Sequence, residues 1–165
     1  MDHHEVMQVL NGLLAQELMS SRIPARLAYT GRDGFPRAIP IGYLFTGSHL
    51  VMATDPGTHK VAALTADPHI ALTIDTEAFP PKILLIRGVA TIDVVEGIPE
   101  EYWQASRKYL ADDEWDGFVE GVKQTYERMA RITVEPTWAR LIDFETTLPE
   151  HLEKKMREGA TRPQS

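Results

Sequence analysis

The stretch that most limits the fold of this chain is "KILLIRGVATIDVV", Lys82 to Val95. It reads as one strand long enough to serve two sheet faces, and its Gly88 permits the bend or bulge that a barrel needs at a corner. The neighbouring segments agree. "ARLAYT" and "RAIPIGYLF" flank "GRDGFP", where Asp33-Gly34 is a turn signal between two strand-like runs, so this part reads as a hairpin. "HLVMAT" and "HIALTID" add strands on either side of a short helix that Asp67-Pro68 ends. "RITVEP" and "TWARLIDF" alternate like closing strands. The regular strand-helix alternation of a doubly wound fold is missing. The expected class is mainly β with peripheral helices (α+β), built on an antiparallel barrel.

The helical parts lie outside that β framework. Val6, Val9, Leu10, Leu13, Leu14 and Leu18 recur at helical spacing and predict one covering helix over about 5–20. Residues from about 99 to 130 change character: "PEEYWQASRKYL" and "DDEWDGFVEGVKQTYERMA" carry apolar groups at helical spacing on an acidic background, a helical insert. Its aromatic residues Tyr102, Trp103, Tyr109, Trp115 and Phe118 are read as packing in preference to a lid over a substrate. A charged tail over about 149–165 is expected to fray. All of this is expected to form a single domain over residues 1–165.

Charge and composition narrow the partners. The net charge is -7 and no basic stripe interleaved with aromatic residues occurs, which argues against nucleic acid and against an anionic membrane surface. The longest apolar run falls far short of the roughly 20 residues that span a bilayer. "MDHHEVMQVL" lacks the basic flank of a signal peptide, so a soluble, cytoplasmic protein is expected. The chain has no cysteine, which removes disulfides, thiolate zinc sites and iron-sulfur clusters, and any redox chemistry must come from a cofactor. The six histidines are scattered without metal-ligand spacing, and His151 is the faint candidate for a haem ligand.

"VMATDPGTHKVAAL", Val51 to Leu64, is the motif with chemical content. An apolar strand breaks at Asp55-Pro56-Gly57 and resumes as a helix with Thr58, His59 and Lys60 at its mouth. A helix start offers unpaired N–H groups and the positive end of its dipole, and two hydroxyls, an imidazole and an ammonium crowd the turn. Thr54, Thr58 and Lys60, joined by Arg37 from the hairpin, would make a phosphate site. On spacing alone the other reading stands beside it: Thr58 caps a short helix, Lys60 is solvated, and Asp55-Pro56-Gly57 is a turn.

These residues resemble a known family. "ARLAYTGRDGFPRAIPI", "HLVMATDPGTHKVAALTADPHIALTI" and "ILLIRGVATI" look like the core blocks of the pyridoxamine 5'-phosphate oxidase-like FMN-binding split barrels, over roughly residues 20 to 95, with "ITVEPTWARLIDF" as the closing block. The resemblance implies an antiparallel split β-barrel that binds FMN, and a homodimer with two equivalent flavin sites between its subunits. It implies a flavin-dependent oxidoreductase acting on a small-molecule substrate. Carried over, Arg37 and the backbone of Ala38, Ile39 and Pro40 would line the flavin ring and ribityl chain. Ala53, Thr54, Thr58, His59 and Lys60 would hold the phosphate end, and Trp138 and Arg140 would arrive from the other subunit. His59 stands where the oxidase has an Arg, and "TWARLIDFETTLPEHLEKKMREG" has no match to the Arg-rich, His-containing segment that grips pyridoxamine phosphate. The F420-using branch shares the barrel and the Lys-bearing corner, so F420 is the alternative cofactor. A flavin-binding module without turnover is the third reading.

Overall fold

The structure, a computed structural model, describes residues 1–146 and 150–160. Seven strands form one antiparallel sheet: β1 (Ala25–Thr30), β2 (Pro36–Ile41), β3 (Leu44–Phe45), β4 (Leu50–Thr54), β5 (His69–Asp75), β6 (Lys82–Glu96) and β7 (Arg128–Asp143). Their spatial order is β2-β1-β5-β6-β7-β4-β3. The two edge strands β2 and β3 are therefore consecutive in the chain, joined only by Gly42 and Tyr43. Laid flat, seven strands would separate their edges by roughly 29 Å, whereas that link reaches at most about 11 Å. The sheet must curl until its two edges come close at that link without pairing, and the result is the split barrel expected from the sequence.

The inner faces of the strands fill this barrel. Leu27, Leu50, Met52, Leu72, Ile74, Leu84, Ile86, Ile132 and Val134 are buried in one cluster, with Tyr43 fully buried beside them. Two helices close an end, α1 (His3–Leu10) through Val6 and Leu10 and α2 (Leu13–Ser20) through Ala15, Leu18 and Met19. The single helix expected over 5–20 is thus two. Asn11 ends the first by donating both its backbone N–H and its side-chain Nδ2 to Met7 O, and Gly12 in extended conformation starts the second.

β6 and β7 form the long central ladder, and Gly88 does what the sequence suggested. The register slips there: Arg87 lies opposite Trp138 but Gly88 lies opposite Pro136, which leaves Thr137 as the extra residue. Ile132, Val134 and Pro136 point inward before the slip, and Ala139 points inward after it. The bulge thereby inverts the alternation of β7. The two closing strands expected from the sequence are one strand of 16 residues bent at this point.

The other helices pack outside the sheet. α3 (His59–Ala66) follows β4, as expected, and ends at Asp67. The helical insert consists of α4 (Glu100–Arg107), a 3-10 turn (Asp112–Glu114) and α5 (Trp115–Thr125). It stops short of residue 130 because β7 already begins at Arg128 to pair with Glu96. Of the tail expected over 149–165, residues Glu150–Ala160 form α6, while 149 and 161–165 lie outside the described residues. No helix among the described residues is long and apolar enough to cross a membrane.

A side chain at position 88 has no room: a Cβ there would sit 2.5 Å from Glu135 O and 2.6 Å from Val134 Cγ1. Gly121, on the exposed side of α5, has nothing within 4 Å. Gly88→Ala is expected to destabilise the fold by about 1–3 kcal/mol. Gly121→Ala is expected to stabilise it by about 0.4–1 kcal/mol. Urea unfolding of the two variants beside the parent checks both signs, and a neutral Gly88→Ala would disprove the close approach.

Candidate functional site

The corner between β4 and α3 is built from its own loop. Asp55 Oδ1 accepts from the Gly57 N–H at 2.7 Å, and the Asp55 carbonyl accepts from the Thr58 hydroxyl at 3.0 Å. Thr58 occupies the N-cap position, yet its hydroxyl is turned back to the loop, and among the described residues no side chain caps α3. The first amides of the helix keep their outward-facing donors. Lys60, half-buried, reaches back from the first turn of α3 and donates from Nζ to Thr54 Oγ1 at 3.1 Å. Burial lowers the Lys60 pKa below the ordinary lysine value, opposed by the charge of Asp55. The structure therefore joins the strand-end hydroxyl to the ammonium, and the solvated-lysine reading does not describe Lys60.

A second group of polar side chains lies next to the start of α3. Arg37 on β2 folds over the hairpin: Nη2 meets Asp33 Oδ2 at 2.6 Å and Nη1 donates to Phe35 O at 3.2 Å. The Arg37 hydrogen bond, with that from the Phe35 amide, holds the Asp33 carboxyl below the usual carboxylate range. Arg37 and His59 line one open concavity of about 340 Å³ together with Tyr29, Gly31, Arg32, Ala63 and Asp33, the partner of Arg37. Arg32 is a member that sequence reasoning missed. Its only signal was adjacency to the Asp33-Gly34 turn, which carries no chemistry of its own.

The backbone of Ala38, Ile39 and Pro40 lies on the edge strand β2, whose outer edge pairs with no strand among the described residues. Ala38 and Pro40 are exposed and Ile39 is half-buried against the core. Ala53 faces outward from β4, between Met52 in the core and Thr54 at the corner.

Trp138 and Arg140 are not brought to this corner within one chain. Thr54 pairs with Ala130 of β7, and Trp138 lies roughly 26 Å further along that strand at about 3.3 Å per residue. The bulge turns both residues to the outer face, where the Arg87 guanidinium sits 4.5 Å from the centre of the Trp138 indole and Arg140 is exposed. His151 is exposed on α6, and among the described residues no cluster of three or more metal-ligating side chains occurs.

The helical insert builds an apolar cavity against the outer face of β4. It measures about 270 Å³ and is lined by Val51 and Ala53 from the strand, Tyr102 and Ala105 from α4, and Phe118 from α5. The aromatic residues pack on one another, as expected. Trp103 meets Tyr102, Trp115 and Phe118 edge-on at 5.6–6.2 Å between centroids, and Tyr102 stacks on Phe118 at 6.2 Å. Two of these rings nevertheless also line the cavity, so packing and lining are not alternatives here.

With this geometry in view, the sequence model described as pyridoxamine 5'-phosphate oxidase matches residues 14–141 of the chain. No curated protein matches the sequence. Among solved structures, an F420 reductase is 20% identical with a TM-score of 0.58, over 76% of this chain and 94% of its own. A conserved hypothetical protein from Mycobacterium tuberculosis is 15% identical with a TM-score of 0.57, over 100% of this chain and 91% of its own. The heme storage protein HutZ from Vibrio cholerae is 18% identical with a TM-score of 0.55, over 77% and 89%. At these identities the likeness is one of fold.

The insert is fastened to the rest of the chain by two cations, half-buried Lys108 and exposed Arg22. Lys108 Nζ donates to Met19 O at 3.0 Å and lies 3.8 Å from the centre of the Tyr43 ring, and Arg22 Nη2 donates to Tyr109 O at 2.6 Å. Burial lowers the Lys108 pKa from 10.5 to about 8. Between those values the unfolded chain binds more protons than the folded one, so this lysine makes stability rise with pH across that window. Burial holds the Tyr43 hydroxyl above its ordinary 10.0, an opposite effect that sets in only above that pH. Lys108→Met should therefore show a smaller gain in unfolding free energy from pH 8 to 10 than the parent protein. Parallel pH profiles for the two proteins would disprove the shift.

Proposed function

The chain belongs to the pyridoxamine 5'-phosphate oxidase family, and from that premise we propose that it is a homodimeric, FMN-binding oxidoreductase acting on a small molecule. The observation that carries the reading is the Lys60–Thr54 pair at the uncapped start of α3. Amides at a helix start, a hydroxyl and an ammonium together suit the phosphate of a flavin nucleotide. Arg32 and Arg37 stand on the adjoining concavity, Arg37 paired with Asp33, on a chain that is acidic overall. Thr58 and Ala53 would border the phosphate end, and the free edge of β2 at Ala38, Ile39 and Pro40 offers backbone groups to a ring and its polyol chain.

The residues present thus fit the group. When bound, FMN supplies the hydride or electron transfer. The chain's own part is to fix the phosphate, orient the ring along β2 and keep water from its face. No side chain is assigned as acid or base. F420 is the second reading, favoured by one observation: a solved F420 reductase has the same fold over most of both chains. F420 lacks a terminal phosphate of the FMN kind, and the close pairing of Lys60 with Thr54 favours FMN.

The dimer completes the site in this reading. Trp138 and Arg140 occupy an outer sheet face with Leu85 and Arg87 opposite them, far from their own Lys60. Two long strands exposing an indole and apolar side chains suit self-association. A second copy seated there would bring Trp138 and Arg140 to the first copy's corner.

Two measurements test this. Lys60→Ala should weaken FMN binding by roughly tenfold or more, since a charge-assisted hydrogen bond contributes about 1.5–3 kcal/mol, and should leave riboflavin binding nearly unchanged. Equal losses for the two ligands would remove Lys60 from the phosphate. Mixing Lys60→Ala with Arg140→Ala subunits should regenerate one intact site per mixed dimer and restore part of the FMN binding that each lacks alone. If confirmed subunit exchange restores nothing, Arg140 does not serve the partner's cofactor.

A further inference from the structure

The cavity beneath the helical insert shares Ala53 with the proposed cofactor corner and touches Gly42, just past the β2 edge. Its chemistry differs from that of the corner. The floor is Val51 and Ala53 and the wall is Ala105, Tyr102 and Phe118, so a ligand there meets methyl groups and ring faces. Ser106 also lines it, but its hydroxyl is used on Tyr102 O at 2.7 Å.

No Lys, Arg or His lines the cavity, and the cations nearby make their ion pairs and hydrogen bonds elsewhere. Lys108 is drawn to Met19 O and the Tyr43 ring. Arg107 lies over the Trp115 ring at 3.8 Å and pairs with Asp112 at 3.2 Å. Arg22 is held by Tyr109 O. Arg131 neutralises Glu101, the one acidic lining residue, at 3.6 Å, and stands 4.0 Å from Asp93. An anionic ligand would give up its water and find no countercharge, which is unfavourable. Two buried polar atoms have no hydrogen-bond partner among the described residues: Arg131 Nε, on a residue that does not line the cavity, and the hydroxyl of Tyr109, which does line it. The Tyr109 hydroxyl is buried, and the Tyr43 backbone beside it completes no hydrogen bond of good geometry among the described residues. A buried hydroxyl in that condition favours a ligand that brings a hydrogen-bond acceptor.

At about 270 Å³ the cavity falls just below the roughly 300–1,000 Å³ of sites for drug-sized ligands. We propose that it binds a small, uncharged, planar ring compound of one or two rings carrying a carbonyl group, and that it excludes phosphorylated or carboxylated ligands. The assignment deepens the flavin reading and rests on it only in making the occupant the substrate; binding itself does not depend on it.

Coumarin, a neutral bicyclic lactone, and coumarin-3-carboxylate, the same rings with a negative charge, form the probe pair, measured by equilibrium dialysis with the full chain. Coumarin should bind at least tenfold more tightly. Ala105 is 6% exposed on the cavity wall, and Ala105→Phe should reduce coumarin binding at least tenfold while FMN affinity changes by less than about twofold. Ser106→Lys, on the same helix and only half-buried, keeps the test open if the filled variant does not fold. It places an ammonium at the lining and should make the carboxylate the better ligand. Failure of the parent protein to bind coumarin, equal or tighter binding of the carboxylate, or indifference of both variants overturns the proposal. Coumarin binding by a protein that does not bind FMN would overturn the flavin reading and leave this one standing.

Discussion

The link Gly42–Tyr43 is the constraint on which the rest depends. Two residues carry the chain between the outermost strands of a seven-stranded sheet, and that is possible only if the sheet closes on itself. Tyr43 makes the closure favourable as well as possible. Its ring is fully buried in the core, and its hydroxyl donates to Met19 O at 3.4 Å, which ties the seam to the helices that cap the barrel. Gly42 contributes by what it lacks, since a Cβ there would already be 3.3 Å from Tyr109. The insert can therefore lie down over the seam.

Closure gives β4 its unusual position. Its inward residues Leu50 and Met52 belong to the core, its outward residues Val51 and Ala53 floor a cavity, and its last residue Thr54 meets Lys60. Five residues serve three environments because side chains alternate across a strand and the strand ends where the loop begins. The polar corner and the apolar cavity are separated by a single step of this alternation. A cofactor and an apolar ligand can be neighbours that share only Ala53.

Much of this was legible beforehand, and the reasons differ by element. The Asp33-Gly34 hairpin, the Asp67-Pro68 helix stop and the Gly88 bulge each rest on residues whose backbone preferences are local, and each stands where the sequence put it. The pairing of Thr54 with Lys60 was likewise legible, because strand end and helix start are neighbours in the chain. The break at Asn11–Gly12 was not, since apolar periodicity continues across it and only the caps reveal two helices. Nor was the continuity of β7 through Pro136, which a bulge accommodates. The orientation of Arg37 toward Asp33, and the use of Lys108 as a fastener to Met19, depend on contacts between distant parts of the fold. No spacing rule encodes these.

The placement of the indoles has a spectroscopic consequence. The chain has three tryptophans, two of them in the ring cluster beside the cavity and the third, Trp138, on the outer face of the β6–β7 ladder beside the Arg87 guanidinium. Emission from Trp103 and Trp115 thus reports on the rings of Tyr102 and Phe118 that line the apolar cavity, and emission from Trp138 samples the face assigned to subunit contact. With one or the other replaced by Phe, the protein reports on ligand entry and on assembly through separate optical channels, without any label being attached.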